Sequence, residues 1–218
     1  MSSVPGRRRL SDRLRATPVI AVLRAASVEQ LYPACDVLVE EGIHSLEFTL
    51  TTPGLLDSLP AVVDRYAGGA DVGVGTVLTR EQAQRAVDHG IDYLVTPTVN
   101  VAVVELAVQQ DVCVFPGGLT PSELLSGWEA GATAVKVFPA ELVGPGYVTH
   151  LRGPFPDIAV VPSGGVGLDS ARAWLDAGAS AVSVGGPLLG DALRGGNLHA
   201  LRQRCSALLA EVRSGVRP

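Results

Sequence analysis

One lysine stands among sixteen arginines in this chain, and it lies where a solubilising residue has no place. Lys136, in the stretch GATAVKVFPAEL, is flanked by Val135 and Val137 in a run with the character of a buried strand. An amine in apolar surroundings holds its proton at a cost in solvation, which favours the free base. Free amine attacks a ketone or aldehyde to give an imine. The protonated imine then accepts the electrons released when the bond between a substrate's third and fourth carbons breaks. Such a reaction needs a second group to move protons. Glu47, in HSLEFTL, is the one acid set within an apolar strand near its end, and burial raises a carboxyl toward the range of a general acid and base. The plainer alternatives are a structural lysine paired with Glu47, or one that extends to the surface. A buried ion pair is weak evidence for stability, because desolvation offsets its attraction.

Something must bring these two residues together. Four segments resemble one another: EEGIHSLEFTL, DHGIDYLVTPT, EAGATAVKVFP and DAGASAVSVGG. In each, an acidic residue and a glycine precede a short apolar run, so Gly42, Gly90, Gly131 and Gly178 read as helix stops followed by strands. The runs PVIAVLR, DVGVGTV, DVCVF and DIAVVPS bring the expected strands to eight. Ser27 with Gln30, Thr79 with Gln82 and Thr120 with Glu123 are spaced as capping boxes, Pro121 suits a first helical position, and Pro33 is expected to kink the first helix. Strands apolar almost throughout, alternating with helices, call for a parallel sheet covered by helices. Eight such units in 218 residues predict an α/β fold, a single (β/α)₈ TIM barrel over 1–218 with residues 1–16 as a short N-terminal helical extension. A doubly wound open sheet is the runner-up, without a GxGxxG after the first strand to support it.

In such a barrel the chemistry lies at the C-terminal strand ends, here Arg24, Glu47, Thr76, Pro97, Phe115, Lys136, Ser163 and the pair Gly185 and Gly186. The loops PSGGVG and VGGPLLG can bring backbone N–H groups against an anion, the usual phosphate position of this architecture; the alternative is that their glycines only permit tight turns.

The segments LEFTL, VGVGTVL, VTPT, FPGG, AVKVFPAE and PSGGV, in this order, resemble the class I aldolases for 2-keto-3-deoxy-6-phosphogluconate and 4-hydroxy-2-oxoglutarate, from about Pro18 to Gly190. The resemblance implies a Schiff base on Lys136 and proton movement by Glu47, through a water. It implies reversible cleavage of a 2-keto-3-deoxy sugar acid, phosphorylated or not, to pyruvate and an aldehyde such as glyceraldehyde 3-phosphate or glyoxylate. Thr76 would bind the pyruvate carboxylate, Pro97 and Phe138 would shape the pocket, and Gly164, Gly165 and Gly186 would present amides to a phosphate. Family members are typically homotrimers that use no metal and no cofactor. Two positions depart from the pattern. Thr51 stands where better-known members carry a carboxylate-binding arginine, and Arg24 is expected to reach that anion instead. Pro187 replaces a phosphate-binding serine, which favours an unphosphorylated or shorter substrate. Ser163 points to the gluconate-type branch, whereas LTTP and GPGYV are nearer to the galactonate type, so a 2-dehydro-3-deoxy-6-phosphogalactonate aldolase stands as an alternative. A sugar-phosphate isomerase or epimerase with no Schiff base, and a barrel that binds without turnover, are the readings from other classes.

The bulk composition agrees with a small-molecule enzyme. A net charge of -5 argues against nucleic acid, which demands a basic face. The basic stretch MSSVPGRRRLSDRLRATP lacks the apolar middle of a secretory signal, and Leu10 and Leu14 suit a short helix across one end of the domain. No apolar run is long enough for a bilayer, so no membrane association is expected. Cys35, Cys113 and Cys205 form no CxxC pair and the four histidines no metal spacing, so the expectation is a cytoplasmic protein with reduced, structural cysteines and no zinc.

Overall fold

The computed structural model describes residues 7–214. Its strands are β1 (Val19–Leu23), β2 (Ser45–Thr49), β3 (Asp71–Gly75), β4 (Tyr93–Val95), β5 (Cys113–Phe115), β6 (Gly117–Gly118), β7 (Val135–Val137), β8 (Val160–Pro162) and β9 (Val182–Val184). All paired strands run parallel, in the orders β5-β4-β3-β2-β1-β9 and β6-β7-β8. The fifth expected strand is interrupted at Pro116, which has no N–H to give to a ladder, so β5 pairs to one side and β6 to the other. A parallel bridge between Ser163 and Ser183 joins β8 to β9 and closes the ring. The result is the expected (β/α)₈ barrel with one stave in two pieces.

The strands are not apolar throughout. On β2, Leu46 and Phe48 face the helices, while Ser45, Glu47 and Thr49 alternate with them; β3 alternates Val72 and Val74 with Asp71, Gly73 and Gly75. This period of two puts polar and small residues inside the barrel and a Val/Leu shell outside it. A second apolar layer, with Leu14, Ile20, Tyr93, Phe115 and Val161, fills the lower interior.

The helices follow the expected punctuation with one exception. Gly42, Gly90, Gly131 and Gly178 all take positive φ, between 78 and 104°, at helix ends. The capping boxes form at α4 (Arg80–Asp88) and α6 (Pro121–Glu129), the latter with Pro121 in its first turn. The box expected at Ser27 and Gln30 does not form: α2 spans Tyr32–Glu41, begins after Leu31, and carries Pro33 in its first turn. Pro33 therefore does not kink a helix; it marks where one starts, because proline is tolerated only before the i−4 hydrogen bonds begin. Within the expected extension 1–16, α1 covers Asp12–Ala16, and residues 1–6 lie outside the described residues. Ser11 caps α1, Leu14 seals the barrel floor, and Ser11 and Arg13 both hydrogen-bond the buried Asp71 carboxylate.

Candidate active site

At the C-terminal rim the strands surround a cavity of about 230 Å³. Its wall includes Glu47 from β2, Thr76 after β3, Pro97 after β4, Lys136 from β7, Ser163 after β8 and Arg24 after β1. Phe138, Gly164, Gly165 and Gly186 also line it, so ten of the eleven expected residues converge there. Thr51 does not. It is exposed, and its hydroxyl instead meets the Thr49 hydroxyl at 2.9 Å. Thr49 is the wall residue: two positions beyond Glu47 on the same strand, it faces inward, and its hydroxyl donates to the Leu23 carbonyl at 3.1 Å. Phe115, expected at the rim, packs in the lower apolar layer.

Lys136 and Glu47 are 7% and 1% exposed, and Lys136 Nζ lies 4.0 Å from Glu47 Oε1. Phe138 roofs the amine with its ring centroid 5.0 Å from Nζ. The pair fits this tightly because Gly75 carries no side chain; a Cβ there would lie 2.1 Å from Glu47 Oε1. Burial raises the Glu47 carboxyl above its usual range, and the charges of Lys136 and Arg24 pull it partly back. A buried acid held up in this way is a stronger base than an exposed carboxylate, which suits it to carry protons. The other carboxylate oxygen, Oε2, has no hydrogen-bond partner among the described residues.

The remaining wall is shaped by backbone. Thr76 adopts φ 59°, a left-handed conformation unusual for a threonine, so residue 76 leaves the strand at an angle that brings it to the cavity. Gly164 and Gly165 are left-handed as well, at φ 82 and 80°. Ser163 donates to Ser183 at 3.2 Å, a buried wall residue the sequence reading missed although its alternation in AVSVGG matched that of Lys136. A second cavity of about 430 Å³ shares Val22, Arg24, Gly185 and Gly186 with the first and runs outward to Gln30 and Arg194. Neither Arg24 nor Arg194 makes an ion pair among the described residues.

The "KDPG and KHG aldolase" family profile matches residues 10–203, most of the chain. The chain belongs to this family. It is therefore an aldolase, a lyase of carbon–carbon bonds. Over 200 residues it is 33% identical to the 2-dehydro-3-deoxy-6-phosphogalactonate aldolase of Escherichia coli (strain K12), covering 91% of this chain and 96% of that one. Against the KHG/KDPG aldolase of the same organism it is 31% identical over 187 residues, 84% and 87% of the two chains. The native KDPGal structure superposes with TM-score 0.87 at 31% identity, covering 96% of this aldolase and 99% of that chain.

Proposed function

We propose that this aldolase works through a Schiff base on Lys136, cleaving a 2-keto-3-deoxy sugar acid reversibly to pyruvate and an aldehyde. The observation that carries the reading is the buried Lys136–Glu47 pair at 4.0 Å, open to a cavity the size of a small keto acid. Lys136 Nζ adds to the C2 ketone, and loss of water gives the iminium. Glu47 takes the proton of the C4 hydroxyl as the C3–C4 bond breaks; the electron pair passes to the iminium nitrogen as enamine and the aldehyde leaves. Glu47 then returns its proton to C3, and water hydrolyses the iminium to pyruvate and free lysine. The raised Glu47 carboxyl suits this cycle, since burial makes it a stronger acceptor for the hydroxyl proton.

Thr76 and Arg24 hold the pyruvate carboxylate, and Pro97 and Phe138 close over the methyl side. Ser163, hydrogen-bonded to Ser183, meets the C4 hydroxyl. Gly164, Gly165 and Gly186 floor the aldehyde half. A distal anion is held on the Gly186 side rather than against Gly165, where the Glu141 carboxylate packs, and there the second cavity offers Arg194. Pro187 removes one hydroxyl donor, worth about 1.5–3 kcal/mol to an anion; an arginine offsets such a loss. The active form is a homotrimer that needs no metal or cofactor, as the family resemblance implies, and the spacing of its three cysteines suits the cytoplasm. The assay is pyruvate release from the 6-phosphogluconate and 6-phosphogalactonate 2-keto-3-deoxy acids and from 4-hydroxy-2-oxoglutarate. Turnover of one of them, abolished in Lys136→Ala, is expected; equal turnover by Lys136→Ala refutes the reading.

A further inference from the structure

Two buried polar atoms inside the barrel lack a partner among the described residues, Glu47 Oε2 and the Tyr93 hydroxyl. The strand register places their two residues in one row. Glu47 pairs with Gly73 across β2 and β3, and Gly73 with Tyr93 across β3 and β4, so the three residues form one row facing the interior. Because Gly73 contributes no side chain, the Tyr93 ring lies over it, with Cε2 and Cζ 2.0 and 2.2 Å from where a Cβ would be. The Glu47 carboxylate lies in the same way over Gly75, two residues further along β3. Positions two apart on a strand are roughly 6.6 Å from each other, and the phenol oxygen extends beyond Cζ. A single water accepting from one group and donating to the other spans about 5.5 Å.

Resting on the role given above to Glu47, we infer that the Tyr93 hydroxyl hydrogen-bonds the Glu47 carboxylate through one buried water and so acts as a positioning residue for proton transfer. The hydroxyl remains protonated, as a donor must: burial pushes it well above its ordinary range, and the charges of Glu47, Asp71 and Asp92 push further. Its other neighbour is the Phe115 ring, with centroids 5.4 Å apart, which fixes the ring without competing for its hydrogen. The charged and titratable groups around the pair are Lys136 from β7 and Arg24 after β1 on the Glu47 side, with Asp71, Asp92 and Cys113 on the Tyr93 side. This donor favours the ionised carboxylate and sets the lower limit of pH at which Glu47 accepts a proton.

The test compares Tyr93→Phe with wild type in kcat, KM for the keto acid, pH profile and melting temperature. The expected result is a fall in kcat of about tenfold, with KM nearly unchanged. The acid limb of the profile moves upward by about one pH unit, because losing a donor raises the carboxyl further. If Tyr93→Phe melts higher while its kcat and acid limb match wild type, the hydroxyl is only an unpaired buried group and the inference fails. A lower kcat with an unmoved limb also overturns it. Should Tyr93→Phe not fold, 3-fluorotyrosine at position 93 keeps the shape and strengthens the donor; the limb then moves downward, and an unmoved limb refutes the contact. Glu47→Gln separates the two levels: if it is impaired and Tyr93→Phe is not, only this inference falls, whereas a fully active Glu47→Gln removes both.

Discussion

Gly75→Ala makes a sharp test of the site because it replaces neither catalytic side chain. Residue 75 is not in the left-handed region, so alanine is compatible with the backbone and the whole effect comes from its methyl group. That methyl would lie 2.1 Å from Glu47 Oε1 and 2.7 Å from Cγ and Cδ, well inside van der Waals contact. The carboxylate must therefore move by more than about 1 Å, and a displacement of that size costs roughly 100-fold in rate. The fold survives, since the clash is with the end of a rotatable side chain; overpacking of this kind costs about 1–3 kcal/mol. The assay is steady-state cleavage with thermal denaturation of the same sample. We expect kcat reduced roughly 100-fold, KM for the keto acid within a factor of about three, and Lys136 still able to form its imine slowly. A Gly75→Ala enzyme with wild-type kcat would refute the placement of Glu47 as the proton carrier.

Glu47→Gln should abolish most turnover, by about 100- to 10,000-fold. It should also change how stability depends on pH. Because the folded-state carboxyl is raised, wild type loses stability as pH climbs from about 4.5 through that higher value, and the glutamine variant lacks this slope. Melting curves of both proteins across that interval check the sign. Arg24→Ala should raise KM for pyruvate about tenfold, and an unchanged KM would place the carboxylate elsewhere. Arg194→Gln should raise KM about 2- to 5-fold for phosphorylated aldehydes and leave unphosphorylated ones unaffected, read from condensation rates with each. Thr120→Ala breaks a capping box outside the cavity wall and should cost about 1 kcal/mol in a denaturation midpoint with kcat unchanged.

The barrel was legible because its signals are local and repeated. An acid and a left-handed glycine close each of four helices, and an apolar run follows each; that pattern survives folding wherever the next strand can pair. What the sequence concealed depends on which face a residue takes. Thr51 carried the position of a familiar arginine, yet it lies beyond the strand end, while Thr49, in step with Glu47 by the two-residue period, forms the wall. Ser183 was readable by the same alternation with Ser163 as its partner across the closing bridge. The Ser27 box failed because Pro33 delayed the helix by a turn, and proline outweighed the cap. The Gly73–Tyr93 and Gly75–Glu47 contacts had no sequence signal at all, since they arise from parallel register between β2, β3 and β4. A glycine in a strand shows only that something approaches closely, and the fold decides what.

The most direct test is reductive trapping. With pyruvate and borohydride, the imine is reduced to a stable secondary amine, and peptide mass spectrometry locates it. The chain has a single lysine, so the result separates one side chain from the N-terminal amine. The account predicts a pyruvate-derived increment on the peptide containing Lys136, lost in Lys136→Ala. No increment on that peptide at saturating pyruvate, from enzyme that still cleaves its substrate, would contradict the Schiff-base mechanism.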